Sequence, residues 1–121
     1  MRDDGRVFRG YHPVITGFPQ ADIQFEDIKA WILQAQEHQL VFFEMESTAQ
    51  VPEHSHNYPQ WGIVIEGEMR LTIDGETITC RQGDEYIIPA NSKHYAVFSQ
   101  KTRVVDLFSE RTRYETKPRV Y

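Results

Sequence analysis

An all-β domain of about eight short strands, closed as a sandwich or jelly-roll barrel, is what this sequence predicts, and three observations carry that prediction. Short apolar or β-branched runs recur with turn residues between them, roughly every 8–12 residues. In the clearest run Met69, Leu71 and Ile73 alternate with Arg70 and Thr72, the period-two pattern of a half-buried strand. No segment carries a long, clean helical stripe.

The elements follow in order. Residues 29–34 and 40–46 are apolar runs flanking a polar loop at 35–39, which predicts a hairpin. A helix over 25–36 competes with the first of these. It is the weaker reading, because Trp31-Ile32-Leu33 is a continuous apolar run. Residues 61–66 form a strand ended by Gly67, and 69–73 the alternating strand described above. Asp74-Gly75 then gives a strong hairpin signal, since a type I′ turn needs positive φ at both central residues. The return strand covers 76–80. Gly83-Asp84 turns the chain into 85–88, which Pro89 stops, and two further strands cover 94–98 and 103–109. Residues 1–28 read as an N-terminal arm and first edge strand, the first twenty polar and punctuated by Gly5, Gly10, Pro13, Gly17 and Pro19. Residues 29–109 form the barrel domain. Residues 110–121, with Arg111, Arg113, Lys117 and Arg119, read as a solvated tail.

Composition narrows the function. A chain of 121 residues, 40% hydrophobic and 26% charged, suits one globular domain. A formal charge of −5 offers no field for nucleic acid or an anionic membrane. No apolar run approaches the roughly 20 residues that span a bilayer, and the first residues lack the apolar stretch of a secretory signal. The single cysteine, Cys80, forms no intrachain disulfide and reads as a small apolar filler. A cytoplasmic protein is the expectation.

Five histidines are present. His12 falls in the arm and His38 in the hairpin loop, which assigns them no chemistry. His54 and His56 are two residues apart, so on an extended segment their imidazoles point the same way. Gln60 follows just before a strand, and His94 opens a distant one. Four such groups converging on one point make a chelate for one divalent ion; imidazole suits zinc, nickel, iron or copper, and manganese is a further candidate.

These residues also carry a resemblance. His54-Ser55-His56, Gln60 and Gly67 resemble the first cupin motif, in which HxH precedes Glu and then Gly. Gly83, Pro89, Asn91 and His94 resemble the second, Gly, five residues, Pro-x-Gly, two residues, His. Both stand in order over residues 29–109, with the compact spacing of microbial cupins. The resemblance implies a double-stranded β-helix barrel with His54, His56, Gln60 and His94 as metal ligands. Asn91 replaces the motif's Gly, a mild change, since Asn tolerates the left-handed conformation. Gln60 replaces its Glu, which leaves four neutral ligands and an ion of undiminished charge. Such an ion is the stronger Lewis acid and gives less support to a higher oxidation state.

Asp106-Leu107-Phe108 resembles the Asp-x-Phe that closes many short cupins, among them the KdgF-type cupins that open 4,5-unsaturated monouronates. That likeness implies Asp106 as proton carrier, Arg111 or Arg113 as carboxylate clamp, and Phe108 as a pocket aromatic; Trp61 and Tyr86 are further candidates for substrate contact. The leading expectation is a metal-dependent isomerase or lyase acting on an anionic sugar acid or related carbonyl compound. A metal-dependent dioxygenase and a non-catalytic sensing cupin are the alternatives. The strand 61–65 is apolar on both parities, which predicts cover from the arm or a second copy; the resemblance to cupins implies the second copy, a homodimer.

Overall fold

The computed structural model describes residues 9–118, so Gly5 and Arg119 of the expected arm and tail lie outside the described residues. Nine strands form two antiparallel sheets among them. They are β1 (Ile28–Gln34), β2 (Gln39–Met45), β3 (Gln50–His54), β4 (Gln60–Glu66), β5 (Glu68–Ile73), β6 (Glu76–Arg81), β7 (Glu85–Ile88), β8 (His94–Phe98) and β9 (Thr102–Phe108). One sheet has the order β1-β2-β9-β4-β7 and the other β3-β8-β5-β6. The alternation seen in sequence is the alternation of burial. Gln39, Val41, Phe43 and Met45 of β2 face inward, with Leu40, Phe42 and Glu44 between them on the outer side. Each large apolar side chain fully buried this way contributes about 1.5–3 kcal/mol. Phe108, Ile32, Ile88, Val41 and Val64 form the tightest part of that core.

The expected hairpin at Asp74-Gly75 is present with φ of 47° and 86°. Asn91 adopts φ 69°, and its N–H donates to the His56 carbonyl at 2.7 Å. The segment 25–36 contains strand β1, and the only helix among the described residues is the single turn α1 (Pro13–Thr16), capped by the His12 side chain.

Three expectations change. β3 was not anticipated, because Pro52 sits in its middle. It is an edge strand paired only with β8, where a proline costs no ladder bond. The arm is anchored: the Tyr11 hydroxyl lies 2.8 Å from the Phe43 carbonyl, and its ring meets Trp31 and Phe42 edge-on on the outer face. The tail is not merely solvated as far as residue 118. Tyr114 packs edge-on against Phe43 and Phe108 at 5.9 and 5.7 Å. The buried Gln39 amide donates to the Tyr114 carbonyl and accepts its N–H, both at 3.0 Å. Thr116 then bridges Ala21 of the arm. No described helix is long and apolar enough to cross a membrane.

Candidate metal centre

Register lines up the polar residues of the five-stranded sheet on two adjacent rungs. Gln39, Phe108, Gln60 and Ile88 form one; Val41, Asp106, Gly62 and Tyr86 form the next. Across the barrel His54 pairs with His94 between β3 and β8. His56 stands in the loop before β4. The sheets thus bring His54, His56 and His94 together, with one nitrogen of each within 4.8 Å of the others.

The hydrogen bonds fix which nitrogen that is. His54 Nδ1 lies 2.8 Å from the Pro52 carbonyl, His56 Nδ1 2.7 Å from that of Tyr58, and His94 Nδ1 2.8 Å from that of Ser92. A carbonyl only accepts, so each Nδ1 carries the proton and each neutral ring presents an Nε2 lone pair. Burial reinforces the neutral form: it lowers His54 below the ordinary histidine range and His94 to about 4. His94 Nε2 is buried without a partner. His56 Nε2 lies 3.1 Å from Gln60 Oε1, so two acceptors are in contact. Converging lone pairs of this kind fit a divalent cation, and the donor set is three imidazoles and one amide oxygen.

Gln60 is held by the group behind it. Asp106 is 4% exposed, and it takes a 2.6 Å hydrogen bond from the Tyr86 hydroxyl and another from Gln60. A carboxylate accepts only from the amide NH2, which turns Gln60 Oε1 toward the histidines. The ligand set is neutral, as the sequence implies, yet a carboxylate stands directly behind Gln60. Burial raises the Asp106 carboxyl to about 6 even though both hydrogen bonds pull the other way. Gly62 makes this possible. It lies on the rung between Asp106 and Tyr86, and a Cβ there would fall on Asp106 Oδ1 and the Tyr86 ring.

The expected substrate residues divide. Asp106, Phe108, Tyr86 and Arg113 line one cavity with His54, Gln60 and His94, a cavity of about 320 Å³. Arg113 Nη2 is 3.4 Å from His54 Nε2. Its guanidinium lies over the Phe108 and Tyr114 rings at 5.6 and 4.9 Å, and its Nε is buried without a partner. Two expectations are corrected. Trp61 has the parity opposite to Gln60, so it stands on the outer face with Nε1 donating to Glu85 at 2.9 Å. Arg111 is exposed and outside the cavity wall, its carbonyl accepting from Gln34 at 2.8 Å. Arg103, on the same strand as Asp106, bonds Glu66 at 2.8 Å. Sequence reasoning missed Tyr58, stacked on His56 at 4.4 Å, and Tyr114. Tyr58 had a local signal, its place between His56 and Gln60 within the first motif, and Tyr114 had none.

Comparison with known proteins agrees with this geometry. The sequence pattern of the cupin domain family (Cupin_2) matches residues 41–108, a span holding all four ligand positions and Asp106. No curated protein matches the chain. Among solved structures, KdgF from Halomonas sp. superposes with a TM-score of 0.71 at 24% identity, covering 81% of this chain and 92% of that one. An RmlC-like cupin from Shewanella frigidimarina gives 0.70 at 24%, with 78% and 86% covered. A cupin superfamily protein from Desulfitobacterium hafniense gives 0.65 at 17%, with 72% and 81% covered. These likenesses establish the barrel fold. With two antiparallel sheets closing on a three-histidine cluster and the family pattern spanning more than half its length, this chain belongs to the cupin domain family.

Proposed function

We propose that the protein is a metal-dependent isomerase or lyase acting on a small anionic carbonyl compound. One observation carries the reading: Arg113, a permanent cation with a buried, unpartnered Nε, stands beside three convergent imidazole lone pairs. A cation next to a cation site is repulsive until an anion lies between them. A carboxylate is the natural occupant, because a guanidinium grips it with two parallel hydrogen bonds. A divalent ion held by His54, His56, Gln60 and His94 supplies Lewis-acid polarisation of a carbonyl or enolate oxygen. Arg113 orients the substrate carboxylate, Phe108 packs against the substrate's body, and Asp106, on the same cavity wall, takes or returns the proton. Sugar acids are one branch of this class, supported by the Asp106-x-Phe108 pairing and by the structural likeness to a KdgF.

We also propose a cytoplasmic homodimer, supported by Ile87, 64% exposed beside Trp61 on the outer face, as a surface for a second copy. The activity is tested by mixing metal-loaded protein with 4,5-unsaturated uronates and 2-oxo acids and following their ultraviolet absorbance. Wild type accelerates the change for at least one of them, and Arg113→Gln slows it at least tenfold while keeping its metal. No acceleration over buffer across both sets removes the enzymatic reading.

A further inference from the structure

The cavity has two unlike ends. Its polar side chains gather at one of them: His54, Gln60, His94, Asp106 and Arg113. The opposite wall is Phe43, Met45, Met69, Leu71, Ala96 and Phe98, each at most 7% exposed and inward on its strand. The polar end has few groups left over. Three of its side chains belong to the ligand set, Asp106 is held by Tyr86 and Gln60, and Arg113, which already meets His54, Tyr58 and Tyr114, keeps its Nε for a carboxylate. Beyond these, Glu53 contributes from the exposed edge strand β3, and Tyr95 and Tyr114 bring the remaining hydroxyls. The wall contains no Ser, Thr, Asn or Lys side chain.

A ligand's hydroxyls need partners when they leave water, and a buried polar group without one loses more than its burial gains. A polyhydroxylated body laid against Met45, Met69, Leu71 and Phe98 finds no side chain to pair with. An apolar body gains from every methylene it buries there. We infer that the ligand joins an anionic, metal-chelating head to an apolar body: a 2-oxo or 3-oxo acid carrying a short alkyl chain or a single ring. This rests on the anion reading of Arg113 and selects within it the less hydroxylated carbonyl acids over the sugar acids. A cavity of about 320 Å³ lies at the small end of ligand pockets, which keeps the body short.

Calorimetric titration of zinc-loaded protein with pyruvate, 2-oxohexanoate, 2-oxooctanoate and D-glucuronate tests this. Affinity is expected to rise along the 2-oxo series, at least tenfold from first to last, with glucuronate no tighter than pyruvate. A flat series, or glucuronate binding more tightly than 2-oxooctanoate, overturns the inference. The comparison is made on wild type, so it does not depend on a core variant folding. Leu71→Asn, where its thermal transition shows a folded protein, flattens the slope. Arg113→Gln separates the two readings: it weakens every acid by a common factor and preserves the slope. A preserved slope with no effect of Arg113→Gln overturns the anion clamp, whereas a common loss with a flat slope overturns the apolar body.

Discussion

The two sheets treat their polar side chains in opposite ways. In the five-stranded sheet Gln60, Asp106 and Tyr86 satisfy one another: hydroxyl to carboxylate, amide to carboxylate, all buried on neighbouring rungs. On the other side of the cavity His54 and His94 turn their protonated nitrogens back to their own backbone and leave the other nitrogen facing inward. Apart from Gln60 Oε1, which turns toward His56, the first sheet spends its hydrogen bonds on holding a shape, and the second leaves its imidazole nitrogens to the cavity, where His54 Nε2 meets Arg113. Substitution should therefore cost mainly stability on the first side and mainly binding on the second.

The largest expected effect on stability falls on the self-satisfied side. Gly62→Ala places a methyl group where Asp106 and Tyr86 meet, and overpacking of a buried hydrogen-bonded pair costs roughly 3 kcal/mol or more. Chemical denaturation of the metal-free protein measures it. A loss below about 1 kcal/mol would show that the pair relaxes freely and would break the contrast between the sheets.

A smaller effect of opposite sign sharpens the same contrast. Burial pushes the Asp106 carboxyl up to about 6 in the fold, from an ordinary value of 3.8. The folded state therefore binds the extra proton between those values, and wild-type stability falls as pH rises from about 4 to 6. Asp106→Asn removes that dependence. In chelator-treated protein the variant is expected to match or trail wild type at pH 4 and to exceed it at pH 7.5 by roughly 2 kcal/mol. This is less than the full linkage of about 3, because the new amide needs an acceptor of its own. Equal pH dependence in both proteins would show that another group carries the titration.

How much of this was legible in the sequence depended on how local the signal was. Asp74-Gly75 and Asn91 report their own backbone conformations, and both adopt positive φ. His54, His56 and Gln60 were legible because short spacing in an extended segment fixes direction, and His94 because it opens a strand. Trp61 was a misreading of a legible signal, since its parity opposes Gln60's. The fold of the last described residues was not legible. After Phe108 periodicity ends, so nothing local distinguishes Arg113, which enters the cavity, from Arg111, which does not. Only the two-way bond between Tyr114 and the distant Gln39 decides it. β3 stayed hidden because a proline in a run argues against a strand unless its edge position is known. The Gln60–Asp106 contact was equally beyond reach, because it needs the register of β4 against β9.

The central claim is that three imidazole lone pairs and one oriented amide oxygen hold a divalent ion. Elemental analysis of protein purified without added metal tests it most directly, on wild type, His56→Ala and His94→Ala. About one ion per chain is expected in wild type, and loss of most of it in both variants. Full retention of metal in both alanine variants would contradict it.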